Sequence, residues 1–364
     1  MGAGILLNTT RIMGRPAARV ALALIIGLAG ALLFSWLKLP LPWMLGAMTT
    51  TTVAALLGAP VTGPTRIRPF MFMVLGVMLG STFAPDILDR IGHWLSSVSL
   101  LLVCVIMTGA IAYPYFRKVA RFDPVTAFFC AMPGGMSQMV PIGGAMGGDE
   151  GKIGLIHGSR VLLVVFTIPI WFQITGELGS VDRSTLGVGL ASVEASDLLV
   201  LAGAGALGWV LAWKLRVPSA ATMGPLIVSA ALHVTGVTQS QPPRELVNLA
   251  QLIIGASVGC RFAGVPTREV MRALAVGTGL TVIMLAIAAA FAMVVNQIGA
   301  AGLPAAILSF APGGLPEMTL AALALGVDVA FVVTHHVARI ILVVAIAPVL
   351  IRRMVRTERH RAPP

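Results

Sequence analysis

The sequence predicts an all-α polytopic membrane protein built from two inverted repeats of about five transmembrane helices each, and three observations carry that reading. Of its 364 residues 57% are hydrophobic and 11% charged, against roughly 25% charged in soluble domains. Apolar runs long enough to cross a bilayer recur along nearly the whole chain. The chain also repeats one pattern: residues 131–139 read AMPGGMSQM and residues 310–318 read FAPGGLPEM. At the same spacing His157 and Arg160 recur as His336 and Arg339, and Gly147 and Asp149 as Gly326 and Asp328. Pro169 recurs as Pro348, and Gly76, Gly80 and Phe83 as Gly255, Gly259 and Phe262. A one-residue slip brings Pro40 and Gly46 onto Pro218 and Gly224.

The first repeat, residues 1–175, opens with Arg11, Arg15 and Arg19 ahead of an apolar run from Val20 to Leu37. That run is too long for the apolar core of a signal peptide and more spans follow it, so it is predicted to be an uncleaved first helix. Further spans are predicted at 42–58, 69–84, 95–115 and 153–173. Pro40, Pro42 and Trp43 mark a helix start near an interface. Gly76 with Gly80, and Gly255 with Gly259, have the spacing of closely packed membrane helices. A polar connector, residues 176–197, carries Glu177, Asp182, Arg183, Glu194 and Asp197 and joins the halves. The second repeat covers 198–351, and a basic tail covers 352–364.

The stretch from about 124 to 147 is left over. Pro133, Gly134 and Gly135 divide it into two arms of ~15 to 18 Å if helical, and neither spans alone. A kinked spanning helix and a re-entrant hairpin both stay open, and loop charge separates them. With a hairpin and a cytoplasmic N-terminus, Arg66, Arg68, Arg117, Lys118, Arg121, Lys152, Lys214, Arg216, Arg268, Arg272 and the arginines of the tail all fall inside. Only Lys38, Arg90, Arg183 and Arg244 fall in outside loops. If both breaks were spanning helices, the Arg268 and Arg272 loop would lie outside. Five crossings are an odd number, so the second repeat is expected to be inverted, with both termini cytoplasmic.

Non-helical backbone at membrane depth is tolerated only when buried in protein or lining a cavity. A P-G-G break therefore predicts a polar cavity, and the helix restarting after it presents free N–H groups and a positive dipole end to an anion. Gly134, Gly135, Ser137 and Gln138 form one such tip, and Gly313, Gly314 and Glu317 the other. Glu317 reads either as a cap on its own helix or as a coupling site for H⁺ or Na⁺; its counterpart Gln138 is neutral. Arg160 and Arg339 lie about eleven residues into their helices, ~16 Å down, where an arginine by default marks a partner or a pathway. His157 and His336 share their helical faces. Each His/Arg pair reads either as a ligand-binding edge for an anionic substrate or as a clamp on carbonyls of the neighbouring half-helix. Asp149, Glu150 and Asp328 are expected at helix N-termini.

With L-P-L-P-W-M-L-G (Leu39 to Gly46), and PGGMSQM and PGGLPEM each followed by a distant H-x-x-R, the chain resembles the AbrB-duplication membrane family over nearly its full length. The resemblance implies a bacterial inner-membrane protein, of a family often labelled transcriptional regulator or ammonia monooxygenase and related to inverted-repeat antiporters and citrate carriers. It carries over to Pro133, Gly134, Gly135, Pro312, Gly313, Gly314, Arg160 and Arg339. Family members often have Ser-Glu where this chain has Ser137 and Gln138.

The six histidines form no recognisable ligand set with cysteines or carboxylates, which argues against a monooxygenase and leaves no cofactor expected. Cys104, Cys130 and Cys260 lie in apolar segments and are expected to pack. The net charge of +11 is scattered over loops and tail, and no polar module is present to bind nucleic acid directly. The expected function is secondary transport of a small anionic metabolite rather than an enzymatic reaction, with a homo-oligomer compatible with the sequence. The alternative is a membrane-embedded regulator of gene expression acting indirectly.

Overall fold

Proline in a helix's first turn, where its missing N–H is no loss, opens α-helices throughout this chain. The first half runs α1 (Pro16–Trp36), α2 (Pro42–Leu56), α3 (Arg68–Gly80), the short α4 (Ile87–Ile91), α5 (Leu95–Lys118), α6 (Pro124–Ala131), α7 (Met136–Ala145) and α8 (Glu150–Ile174). The second runs α9 (Ala195–Lys214), α10 (Ala220–Val234), α11 (Arg244–Gly259), α12 (Thr267–Gln297), α13 (Leu303–Phe310), α14 (Leu315–Ala324) and α15 (Val329–Arg361). The computed structural model describes residues 16–175 and 188–361, and among these every regular element is helical. Arg11, Arg15 and the connector's Glu177, Asp182 and Arg183 lie outside the described residues, as do the side chains of the tail from Arg352 to its end.

Among the described residues six helices are long and apolar enough to cross a membrane: α1, Gly92–Lys118, α8, α9, α12 and Val329–Ile351. The protein is a multi-pass membrane protein. The helices within each half are unequal, because α2, α3, α10 and α11 have only 13 to 16 residues, about 20 to 24 Å. Gly58 and Gly236, at φ 81° and 75°, follow the ends of α2 and α10. The turns into α2 and α10 repeat a Schellman motif with a charged residue where glycine is usual. Leu39 N–H donates to Phe34 O and Val217 N–H to Ala212 O, with Lys38 at φ 56° and Arg216 at φ 55°. Leu41 and Ser219, also left-handed, then start the helices.

Helix packing follows the repeat. α1 lies on α2 as α9 lies on α10, α2 on α11 as α10 on α3, α5 on α6 as α12 on α13, and α8 on α12 as α15 on α5. The α3/α11 and α5/α12 contacts map onto themselves. The helices therefore fall into two groups, α1–α3 with α9–α11 and α5–α8 with α12–α15, and each group draws equally on both halves of the chain. They join mainly where α15 meets α3 and α8 meets the turn after α11. In the first group the glycine pairs act as expected. A Cβ added at Gly76 would stand 2.5 Å from Thr222 O, and one at Gly255 2.4 Å from Met44 O, so these helices touch backbone to backbone.

The second group holds the broken segments. α6 and α7 have 8 and 10 residues, ~12 and ~15 Å, well short of a ~30 Å core. They double back on each other. Thr126 Oγ1, in the first turn of α6, accepts from the Asp149 N–H beyond the end of α7 at 2.8 Å. Lys152 Nζ lies 5.9 Å from the centre of the Phe122 ring, again joining the two ends. α6 and α7 both pack on α8, as α13 and α14 pack on α15. Asp149 and Asp328 are N-caps, accepting from Lys152 N–H and Phe331 N–H at 3.0 Å each.

Candidate functional site

Each break is a short extended stretch between two helix ends. Met132 (ψ 131°) and Gly135 (ψ 144°) flank Pro133 and Gly134, and Ala311 (ψ 141°) and Gly314 (ψ 154°) flank Pro312 and Gly313. Extended backbone leaves carbonyls without helical partners, and buried carbonyls need donors. Arg160 supplies them: its NH1 donates to Met132 O at 3.1 Å and its NH2 to Gly134 O at 3.0 Å and His157 Nδ1 at 2.8 Å. The second copy does the same, with Arg339 donating to Ala311 O at 2.5 Å, Gly313 O at 2.6 Å and His336 Nδ1 at 2.7 Å.

These contacts fix the imidazole tautomers. Arginine is a donor only, so Nδ1 must accept and the ring is neutral with its proton on Nε2. His157 Nε2 then donates to Phe129 O at 2.9 Å, and His336 Nε2 to Leu308 O at 3.0 Å. His157 and His336 are fully buried, and Arg160 and Arg339 are 3% exposed. Each H-x-x-R is thus a clamp that holds a break to the long helix beside it, α8 or α15.

Both breaks open on one cavity of about 280 Å³ between the two helix groups. Gly134, Gly135, Ser137, Gln138 and Arg160 border it from one break, and Gly313, Gly314 and Glu317 from the other. Three residues marked from sequence as ligand candidates do not reach it. His157 and His336 are used up on backbone and arginine, and Arg339 borders only a ~10 Å³ void beside Pro133 and Pro312, about the least that holds a water. At the tips, Gln138 and Glu317 fold back over the glycines that precede their helices. A Cβ at Gly135 would stand 2.2 Å from Gln138 Oε1, and one at Gly314 2.0 Å from Glu317 Oε2. Gln138 Nε2 donates to Ser219 Oγ. Gln138 Oε1 and Glu317 Oε2 are buried without a hydrogen-bond partner among the described residues.

The other group supplies what sequence reasoning missed. Arg68, in the first turn of α3, and Arg261, just past α11, both border the cavity, with Ser219 and Thr222 from α10. The Arg68 guanidinium carbon lies 6.0 Å from the Phe72 ring centre, and Arg261 donates to Met136 Sδ on α7. Among the described residues neither arginine has a carboxylate within ion-pair distance. Arg68 was read from sequence only as a loop charge. Arg261 is the arginine inside the apolar run 247–262, and an ionisable residue in such a run is itself a site signal. The arrangement can hold an anion: two guanidinium groups and the N-termini of α7 and α14 border one small cavity.

Comparison with known proteins matches most of the chain. A Bacillus subtilis (strain 168) protein named "Uncharacterized protein YhjN" is 27% identical over 347 residues, spanning 89% of this chain and 90% of its own. The Escherichia coli (strain K12) protein named "Putative regulator AbrB" is 21% identical over 341 residues, spanning 93% and 97%. The family described as "Transition state regulatory protein AbrB" matches residues 43–355, and the chain belongs to the AbrB family.

Proposed function

We propose that the protein is a secondary transporter, not an enzyme, that carries a small anionic metabolite across the bacterial inner membrane. The carrying observation is the convergence, on one cavity between two helix groups, of both broken helices and two guanidinium groups that have no carboxylate partner among the described residues. Discontinuous helices meeting at a repeat interface are the usual construction of a carrier site, because helix ends there meet the substrate instead of lipid. At about 280 Å³ the cavity lies near the lower end of the ~300–1,000 Å³ typical of small-molecule sites. Its ligands are the N-terminal groups of the tips at Gly134, Gly135, Gly313 and Gly314, the side chains of Ser137, Gln138 and Glu317, and Arg68 and Arg261. Arg160 and Arg339 keep the tips in shape.

In this reading the two halves are inverted in the membrane and the broken segments are re-entrant. The bond between Thr126 and Asp149 supports a chain that leaves on the side from which it came. The alternation of basic and acidic loops supports five crossings per half and cytoplasmic termini. Two helix groups with limited mutual contact suit alternating access by one group moving against the other. H⁺ or Na⁺ supplies the driving gradient.

A second reading, a membrane-embedded regulator without transport, draws on the family description and the name of the E. coli relative. It gives the cavity no task. Uptake by proteoliposomes of a panel of labelled carboxylates and phosphates tests the choice. Saturable flux of one anion, lost in Arg261→Ala, is expected; absence of flux and of thermal stabilisation by every member of the panel would overturn transport.

A further inference from the structure

We infer that the coupling ion is a proton, and that Glu317 takes it up when an anion enters the cavity, one proton for each anion bound. The inference rests on the anion-site reading above. Glu317 is the one carboxylate among the described residues bordering the cavity, it is 9% exposed, and its Oε2 is buried without a partner. Its carboxylate lies folded over the N-terminus of α14, where an anion held by that helix end would stand. Two negative groups cannot share a desolvated site without cost, so the arrival of one raises the proton affinity of the other. By linkage the reverse also holds: a protonated Glu317 binds the anion more tightly. The proton comes from the medium and resides on a carboxyl oxygen, leaving the guanidinium groups to the anion.

A sodium ion does not fit the same place. A metal cation needs several oxygen ligands, and two carbonyls of this tip, Ala311 O and Gly313 O, already accept from Arg339. Among the described residues the other charged groups bordering the cavity are cations, Arg261 from the end of α11, Arg68 from α3 and Arg160 from α8, and Arg339 of α15 holds the tip from behind beside the neutral His336. α7 and α13 contribute no charge. These guanidinium groups oppose any added positive charge, but a proton needs only one carboxyl oxygen, whereas a metal ion needs a shell of oxygen ligands. The opposite tip is a built-in control. Gln138 occupies the same relation to Gly135 as Glu317 does to Gly314, has the same length, and cannot titrate.

The experiment uses the purified full-length protein with succinate, and with sulfate as an anion that does not itself titrate. Calorimetry in buffers of different ionisation enthalpy counts protons exchanged per anion bound. The wild type is expected to take up about one proton, with affinity falling about tenfold per pH unit once Glu317 is ionised in the empty cavity. Glu317→Gln is expected to exchange none and to bind with an affinity that no longer varies with pH. Gln138→Glu, which adds a second carboxyl in the matching position, is expected to raise the count toward two, and serves also if Glu317→Gln fails to fold. Anion binding by the wild type without proton uptake at any pH across the titration, uptake unchanged in Glu317→Gln, or a requirement for Na⁺ at fixed pH would overturn the proton assignment alone. Failure of the wild type to bind any anion of the transport panel would overturn it together with the transport reading.

Discussion

Replacing Arg339 with methionine keeps most of the side chain's length and removes all its donors. Three acceptors then lose their partner inside the protein: Ala311 O, Gly313 O and His336 Nδ1. Arg339 is 3% exposed and His336 fully buried, so water cannot readily replace what is lost. A buried acceptor left unsatisfied costs about 1–3 kcal/mol. Loss of the buried guanidinium relieves part of that, because its own desolvation disappears and its Nε has no partner to lose. The expected net loss is about 3–5 kcal/mol, read from denaturant and thermal unfolding of the detergent-purified protein. Arg160→Met breaks the same three kinds of bond, to Met132 O, Gly134 O and His157 Nδ1, and should match within about 1 kcal/mol. Arg261→Ala should behave oppositely. Arg261 is exposed to the cavity, so stability should stay within about 0.5 kcal/mol, while the loss of one charge-assisted contact weakens anion binding about tenfold to a hundredfold. Arg339→Met with unchanged stability, or Arg261→Ala with unchanged anion affinity, would refute the division between clamp and ligand.

Other outcomes follow from single contacts. Gly255→Ala puts a methyl against Met44 O, a backbone atom that cannot swing away, and should cost about 1–3 kcal/mol; Gly76→Ala, against Thr222 O, should match it in the same unfolding assay. Gly314→Ala and Gly135→Ala meet only the mobile ends of Glu317 and Gln138. They should fold, displace those side chains and change anion affinity measured by calorimetry without a comparable loss of stability. Thr126→Val removes the acceptor for the Asp149 N–H and should cost about 1 kcal/mol, with faster hydrogen exchange at Asp149 as the local readout. Equal exchange would mean that the bond does not hold the two arms together.

The architecture was legible wherever it rests on local pattern. Apolar runs gave the spans, and P-G-G with H-x-x-R gave the breaks and their duplication, because those residues interact over fixed, short offsets along the chain. What was hidden depends on contacts between distant segments. That His157 and His336 are committed to Phe129 O and Leu308 O follows from how α8 and α15 pack on the half-helices, and no spacing in the sequence announces it. Lys38 and Arg216 occupy left-handed positions that glycine normally marks, so the repeated turn left no compositional trace. Ser219, at the left-handed start of α10, accepts from Gln138, 81 residues away, a contact that only the fold creates. Arg261 was legible in principle, as a charge in an apolar run. Its neighbours along the chain give no hint that α11 delivers it to the same cavity as Arg68.

A carrier whose two breaks form one anion cavity opens that cavity alternately to the two sides of the membrane. Cys104, Cys130 and Cys260 are buried, so single cysteines introduced as Ser137→Cys and Pro316→Cys can report on the tips. Impermeant thiol reagents applied to either face of oriented vesicles should reach both positions during turnover, and one and the same transported anion should protect both. Labelling of each position from one fixed face only, unaffected by any anion, would contradict the account.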